Sequence, residues 1–139
     1  MSLSFPSPTD PCVPLGTVIC PRSALAPGRK AFRFQVQSAD VPPFTGNSAD
    51  PDEYLPAFLI QFEQGYYAYL NRCAHLPMEL DWNPGEVFSE DGQTIVCSTH
   101  YAVYAPRTGD CLRGPCPKGS RLIPLPITVL HEAIFFGNL

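Results

Sequence analysis

Residues 95–116 read IVCSTHYAVYAPRTGDCLRGPC and place three cysteines and one histidine in a run that is also rich in proline, glycine and tyrosine. Two residues separate Cys97 from His100, and short apolar stretches flank the pair on both sides. The chain brings a cysteine this close to a histidine at one other place, Cys73-Ala74-His75. Two thiols and two imidazoles are a common set of metal ligands, so these four side chains are candidates for one metal centre.

The mixture within each pair distinguishes between two kinds of metal centre. Zinc binds two cysteines and two histidines, but its usual motifs pair cysteine with cysteine and histidine with histidine. Here each half-site combines one cysteine with one histidine, and 21 residues separate His75 from Cys97. A Rieske [2Fe–2S] centre needs two cysteines on one iron and two histidines on the other. The mixed half-sites favour the iron–sulfur centre, and zinc stays open as the alternative.

The composition is typical of one globular domain. The chain has 139 residues, of which 45% are hydrophobic and 16% charged, and a chain of this size can bury a core. Its net charge of −4 argues against a nucleic-acid partner, which needs a basic surface. No apolar run approaches the roughly 18 residues that cross a bilayer, and the first dozen residues lack the pattern of a signal peptide. We therefore expect a cytoplasmic protein without a membrane or nucleic-acid partner, whose thiols stay reduced.

Short strands joined by turns are expected from the 17 prolines, 10 glycines, 9 phenylalanines and 6 tyrosines. Residues 30–37, KAFRFQVQ, alternate between apolar and polar side chains, which predicts a strand with its polar face toward solvent. Residues 57–73 predict a hairpin that turns at Gln64-Gly65, and residues 38–56 predict a surface loop. The prolines within residues 121–130 predict an edge strand. Because no segment has helical periodicity, the predicted fold is an all-β barrel or sandwich.

The segments around the two half-sites resemble the Rieske iron–sulfur family. The run NRCAH, residues 71–75, resembles the family's approach to its first ligand pair. The run CSTHYAVYAPRTGDCLRGPCP, residues 97–117, resembles its second loop, with the family's aromatic residue at Tyr104, its Thr-Gly at Thr108-Gly109 and its Gly-Pro at Gly114-Pro115. The resemblance covers residues 14–139 and implies an antiparallel β barrel or sandwich with a small cluster-binding subdomain. The subdomain would be formed by about 72–118 and the base by 14–71 and 119–139, while the Pro/Ser-rich composition of residues 1–13 predicts a flexible tail.

The resemblance also implies roles for individual residues around a Rieske-type [2Fe–2S] cluster. Cys73 and Cys97 would hold the inner iron, and His75 and His100 the outer iron. Four further residues would contact or cover the cluster: Leu76, Tyr104, Gly114 and Pro115. Tyr104 would place its hydroxyl near a cysteine ligand, and Leu76 would limit the access of water.

Two family features are replaced in this chain. The residue after the second histidine is usually glycine, which allows an unusual φ angle, and here it is Tyr101. Some members join their two cluster loops by a disulfide, and the matching positions here hold Met78 and Ser98. The remaining cysteines, Cys12, Cys20, Cys111 and Cys116, are predicted to be reduced packing residues. A disulfide between Cys111 and Cys116 is the alternative, and it would brace the loop around Gly114-Pro115.

Five acidic residues lie in sequence between the two ligand pairs: Glu79, Asp81, Glu86, Glu90 and Asp91. They are predicted to belong to a solvated loop. The alternative is an acidic docking surface that attracts a basic redox partner.

The functional prediction follows from the chemistry of the cluster, which moves one electron and makes no bonds itself. Besides His75 and His100 this chain contains only His131, so it does not supply the two-histidine, one-carboxylate iron site of a terminal oxygenase. We therefore expect a ferredoxin-like component, not itself an enzyme, that passes electrons from a flavin-dependent reductase to a terminal oxygenase or a similar acceptor. The alternatives are the small Rieske-like subunit of a nitrite reductase, and a zinc or iron–sulfur module with a structural or sensing role.

Overall fold

The computed structural model describes residues 10–41, 53–73, 79–81, 83–98, 101–117 and 119–139. In these residues the chain forms ten strands and two single 3-10 turns, Arg22–Ala24 and Ser38–Asp40. The strands are β1 (Val18–Pro21), β2 (Phe32–Gln37), β3 (Tyr54–Phe62), β4 (Gly65–Leu70), β5 (Ile95–Val96), β6 (Val103–Tyr104), β7 (Cys111–Arg113), β8 (Pro124–Leu125), β9 (Ile127–Leu130) and β10 (Ala133–Phe136). The all-β prediction is confirmed. No helix in the described part of the chain has the length and apolar character that crossing a membrane requires.

The strands form three antiparallel sheets. One sheet has the order β1-β10-β9, the second β2-β3-β4-β8, and the third β5-β6-β7. The third sheet is built entirely from residues 95–113. In sequence these residues lie between β4 and β8, which are neighbours in the second sheet. The division of the chain at residues 72 and 118 stays a prediction, since the sheets do not fix these boundaries.

β3 is buried on both faces and separates two apolar cores. Its successive residues Phe58, Leu59 and Ile60 are all fully buried. Because neighbouring side chains of a strand point to opposite faces, Leu59 joins a core with β1, β2 and β10, whereas Phe58 and Ile60 join a second core. The second core contains Cys73 and Cys97. β3 therefore contributes Phe58 and Ile60 to the core that contains both cysteines.

The hairpin predicted at residues 57–73 is present, but its turn lies one residue earlier than predicted. Phe62 pairs with Gly65, so Glu63 and Gln64 are the two turn residues. Glu63 has a φ angle of 54°, which fits the positive φ that two-residue hairpin turns require. The predicted turn at Gln64-Gly65 is therefore wrong by one position.

Two further boundaries differ from the predictions. The loop predicted at 38–56 ends earlier, because β3 begins at Tyr54; residues 42–52 lie outside the described part. The edge strand predicted within 121–130 is two edge strands in different sheets, β8 beside β4 and β9 beside β10. The chain passes between the sheets at Pro126, which has no N–H to donate to a ladder.

The flexible tail predicted at residues 1–13 is wrong for residues 10–13. Backbone hydrogen bonds join the Val13 N–H to the Gln35 carbonyl at 2.8 Å and the Gln35 N–H to the Pro11 carbonyl at 2.8 Å. Val13 is buried in the first core, and the Asp10 carboxylate pairs with Arg33 at 3.0 Å. This segment is held along β2 by hydrogen bonds and an ion pair, which a Pro/Ser-rich composition does not reveal. Residues 1–9 lie outside the described part.

Candidate metal centre

The second loop, residues 97–102, connects β5 to β6 and carries the Cys97 half-site. The Cys97 N–H donates to the Ala102 carbonyl at 2.9 Å, and the Tyr101 N–H donates to the Cys97 carbonyl at 2.7 Å. These bonds close the loop tightly across its base. Thr99 and His100 lie outside the described residues, so the position of His100 stays a prediction.

Tyr101 occupies the backbone conformation that the glycine of the family would favour. Its φ angle is 61°, in the left-handed region that is costly for any residue except glycine. Its side chain is 69% exposed. Tyr101 therefore adopts a φ angle that glycine would adopt without cost, and its ring extends into solvent.

The sulfur atoms of Cys73 and Cys97 lie in the same apolar core. Both residues are buried, as is Tyr104. The Tyr104 hydroxyl lies 3.3 Å from the Cys73 Sγ, within hydrogen-bonding distance for sulfur. When the sulfur is a thiolate it has no proton to give, so the hydroxyl donates. Residues 74–78, which include His75 and Leu76, lie outside the described part, and their predicted roles stay predictions.

The first loop, residues 72–79, is closed at its base by a side chain. The Leu80 N–H donates to the Asn71 Oδ1 at 2.8 Å, and the Asn71 Nδ2 donates to the Asp81 Oδ1 at 2.8 Å. The Arg33 Nη1 donates to the Asp81 Oδ2 at 3.0 Å. We call Arg33, Asn71, Leu80 and Asp81 the loop-base network.

Sequence reasoning missed this network. Arg33 lies at a position of β2 that the alternating pattern assigned to the solvent face, yet its side chain is only 10% exposed. Burial opposes its charge, and attraction to Asp81 together with the hydrogen bond to Asp10 outweighs that cost and raises the Arg33 pKa. An isolated arginine in an alternating strand gives no local signal of a partner 48 residues away.

The acidic residues between the ligand pairs do not form one surface. Glu79 and Asp81 both pair with Arg33, at 2.9 and 3.0 Å, and the Asp81 side chain is fully buried. Burial raises the Glu79 pKa, while Arg33 opposes that rise. Glu90 and Asp91 instead lie at a turn between Phe88 and Ile95. Both the solvated-loop prediction and the docking-surface alternative are therefore wrong for Asp81, whereas Glu79 stays partly exposed.

The third loop segment, residues 111–117, begins with β7 and contacts the second loop closely. Gly114 has a φ angle of 97°, and a Cβ atom there would lie 2.9 Å from the Ala102 Cα and 3.0 Å from the Tyr101 carbonyl oxygen. A side chain at this position would separate the two loops. Gly114 thus lies against the backbone of the second loop.

A disulfide closes the third loop. Cys111 and Cys116 are bonded, with their Cα atoms 6.1 Å apart. The prediction that both are reduced is wrong, and the alternative, a disulfide across the Gly-Pro turn, is confirmed. Four residues lie between them in sequence, and this spacing alone does not distinguish a disulfide from chance proximity. Cys116 is buried in the core that contains Cys73 and Cys97.

The described residues fit a [2Fe–2S] centre in the chemistry of their donors. Two buried cysteine sulfurs are the soft ligands that iron–sulfur clusters and zinc accept, and a hydroxyl lies beside one of them. No group of three or more His, Cys, Asp or Glu side chains in the described ranges is arranged to hold a metal ion. The described ranges therefore contain two of the four predicted ligands, Cys73 and Cys97. His131, the remaining histidine, lies at the turn between β9 and β10 with a φ angle of 55°.

Comparisons with known proteins agree with this geometry. The fold is similar to the ferredoxin of carbazole 1,9a-dioxygenase from Nocardioides aromaticivorans IC177, with a TM-score of 0.57 and 21% identity over 87% of this chain and 94% of that chain. It is similar to the Sphingomonas yanoikuyae B1 ferredoxin, with a TM-score of 0.58 and 12% identity over 88% and 97% of the two chains. A complex of reduced oxygenase and oxidized ferredoxin in carbazole 1,9a-dioxygenase contains a similar chain, with a TM-score of 0.57 and 19% identity over 85% and 97%.

These identities are low, so the structural similarity establishes the fold alone. No curated protein matches the sequence. The family model of the Rieske [2Fe-2S] domain matches residues 17–128, which is most of the chain. The predicted cofactor is confirmed by this match: the chain belongs to the Rieske [2Fe-2S] domain family.

Proposed function

We propose that this protein is a one-electron carrier whose [2Fe–2S] cluster is held by Cys73 and Cys97 on one iron and by His75 and His100 on the other. The observation that carries the proposal is the burial of both cysteine sulfurs in one core, inside the part of the chain that matches the Rieske family. When bound, such a cluster accepts and releases one electron at a time.

Residues of the chain would set the reduction potential of the cluster and limit the access of water to it. Tyr104 would donate a hydrogen bond to the Cys73 sulfur, which stabilises the added negative charge of the reduced state. The buried core around Cys73 and Cys97 would exclude water from the cysteine side. Gly114 and Pro115 would cover the cluster from the third loop, and Leu76 would cover the edge beside His75.

The proposed partners are a flavin-dependent reductase as electron donor and a terminal oxygenase as acceptor. The support is the similarity to the ferredoxin in the complex with the oxygenase of carbazole 1,9a-dioxygenase. Small redox partners of this kind meet through modest interfaces and separate quickly.

The proposal includes the cytoplasmic location that the sequence predicts. The Cys111–Cys116 disulfide argues in the other direction, because cytosolic thiols usually stay reduced. Alkylation of intact cells before lysis tests this, since a pair that is oxidised in the cell remains unlabelled until a reductant is added.

Iron and sulfide analysis of single variants tests the ligand assignment. Cys73→Ser, Cys97→Ser, His75→Ala and His100→Ala should each lose most of the cluster, because each removes one ligand. Cys20→Ser is the matched control, since Cys20 lies in the other core and should leave iron and sulfide at the wild-type level. Retention of the cluster in either histidine variant would remove that histidine from the ligand set.

Rapid-mixing kinetics test the carrier role. Under anaerobic conditions, an NADH-dependent flavoprotein reductase of a Rieske oxygenase system should reduce the protein completely with one electron per chain. A Rieske terminal oxygenase should then reoxidise it within its own turnover time. A cluster that forms normally but exchanges electrons with neither component would favour the iron–sulfur sensing alternative. The family match argues against zinc as the resident metal, and no described observation favours a nitrite reductase subunit.

A further inference from the structure

The loop-base network joins the second sheet, β2-β3-β4-β8, to both cysteine loops. Arg33 belongs to β2, and its partner Asp81 follows directly after Leu80. The Leu80 N–H is bound by Asn71, two residues before Cys73, and the Leu80 carbonyl accepts the N–H of Ser98, one residue after Cys97, at 2.8 Å. The N–H of Leu80 is thus bound to the segment that carries Cys73, and its carbonyl is bound to the segment that carries Cys97.

The carboxylate of Asp81 is the charged centre of this network. It accepts three hydrogen bonds, from the Arg33 guanidinium at 3.0 Å, from the Asn71 amide at 2.8 Å and from the Gly85 N–H at 2.8 Å. Its side chain is fully buried. A buried carboxylate in this position tolerates few alternative geometries, because any displacement leaves a charge or an amide without its partner.

Asn71 is tied to the sheet independently of Asp81. Its N–H donates to the Pro56 carbonyl of β3 at 2.9 Å, and its residue is almost fully buried. The start of the first loop is therefore fixed to β3 through the backbone of Asn71. The end of that loop, at Leu80, is fixed through the Asn71 side chain.

We propose that the loop-base network positions the two cysteine loops relative to each other, so that Arg33, Asn71 and Asp81 set the geometry of the cluster without touching it. The inference rests on the proposed assignment of Cys73 and Cys97 as cluster ligands. It assigns a function to side chains outside the cluster-binding motifs, and it makes Leu80 the junction between the two half-sites.

Exchange of the amide and the carboxylate tests the proposal. Asn71→Asp alone brings two carboxylates together, and Asp81→Asn alone removes the partner of Arg33. Each should shift the midpoint potential and the g values of the reduced cluster away from those of the wild type. The double variant N71D/D81N restores one amide and one carboxylate in contact, and it should return both measurements part of the way to the wild-type values.

Hydrogen exchange provides a readout that does not depend on electron transfer. In Asp81→Asn the amides of Leu80 and Ser98 should exchange faster. The Leu80 N–H would lose the fixed position of its acceptor, the Asn71 Oδ1, and the Ser98 N–H would lose the fixed position of the Leu80 carbonyl. A control is Glu63→Gln, which removes the exposed ion pair between Glu63 and Arg107 at the β3–β4 turn. It should leave the g values, the midpoint and both exchange rates unchanged.

The milder variant Arg33→Lys keeps the charge but loses the planar fork that reaches several carboxylates. Arg33→Lys tests the positioning role of the network if Asp81→Asn does not fold. The proposal is overturned if folded Arg33→Lys keeps wild-type g values, midpoint and exchange of Ser98, even when its thermal stability is lower. Absence of a Rieske signal in the wild type would instead refute the proposed function, so the two failures are distinguishable.

Discussion

The hydroxyl oxygen of Tyr104 lies 3.3 Å from the sulfur of Cys73, with both residues buried. A hydrogen bond to a ligand sulfur is stronger when the cluster carries an extra electron, so it raises the reduction potential. A difference of about 1 kcal/mol between the two redox states corresponds to about 40 mV for a one-electron couple.

Tyr104→Phe should therefore lower the midpoint potential by roughly 40 mV, as measured by a redox titration followed by EPR. Tyr69→Phe is the matched control, because the buried Tyr69 hydroxyl donates to the Pro106 carbonyl at 2.7 Å and not to a sulfur. Its midpoint should equal that of the wild type. An unchanged midpoint in Tyr104→Phe would show that the hydroxyl does not act on the cluster.

Tyr101 has a backbone conformation that costs an L-residue roughly 1–2 kcal/mol, while its ring is mostly exposed. Tyr101→Gly should therefore raise the free energy of unfolding by up to about 1 kcal/mol, after the added flexibility of the unfolded chain is subtracted. Tyr101→Ala removes the same ring but keeps the strain, so it should show no gain. Equal stabilities of the glycine and alanine variants in denaturant titrations would contradict this explanation.

The disulfide between Cys111 and Cys116 closes a loop of six residues. The entropy of the unfolded chain predicts that the double variant C111S/C116S is less stable by about 2 kcal/mol. A phosphine reductant should destabilise the wild type to a similar extent and leave the double variant unaffected. If the reductant leaves the unfolding of the wild type unchanged, the disulfide does not stabilise the fold.

Burial raises the pKa of the Cys20 thiol from 9.0 to about 11. The unfolded chain therefore loses this proton at a lower pH than the folded chain. The stability linked to Cys20 is complete below about pH 9 and falls as the pH rises toward about 11.

The measurable consequence is a decrease in the free energy of unfolding between about pH 9 and 11 that is smaller in Cys20→Ala. Cys20 should also resist alkylation in the folded protein at neutral pH, whereas the exposed Cys12 should react. Equal labelling of the two cysteines would mean that Cys20 is accessible.

The cofactor and several strands could be predicted from the sequence, because the information is local. The alternation in residues 30–37 predicts β2, and Phe34 and Val36 are indeed fully buried. The mixed Cys–His half-sites predict the cofactor that the family match confirms. A role for Tyr104 near a cysteine follows from the family resemblance, and its hydroxyl does lie beside Cys73.

The features that could not be predicted are of two kinds. Some depend on contacts between residues that are distant in the chain, and others fit two local structures equally well. Arg33 has the pattern of a solvent-facing residue, and only tertiary packing brings Asp81 to it. The same limitation applies to residues 10–13, whose composition suggests a tail until Val13 pairs with Gln35. The redox state of Cys111 and Cys116 could not be predicted, because their spacing in sequence is compatible with both two reduced thiols and a disulfide.

The most direct measurement is the metal and sulfide content of anaerobically purified protein, together with its EPR spectrum after reduction with dithionite. Two irons, two inorganic sulfides and a rhombic signal of low average g value are expected for a Rieske [2Fe–2S] centre. One zinc ion per chain, without sulfide and without a signal, would contradict the electron-carrier function.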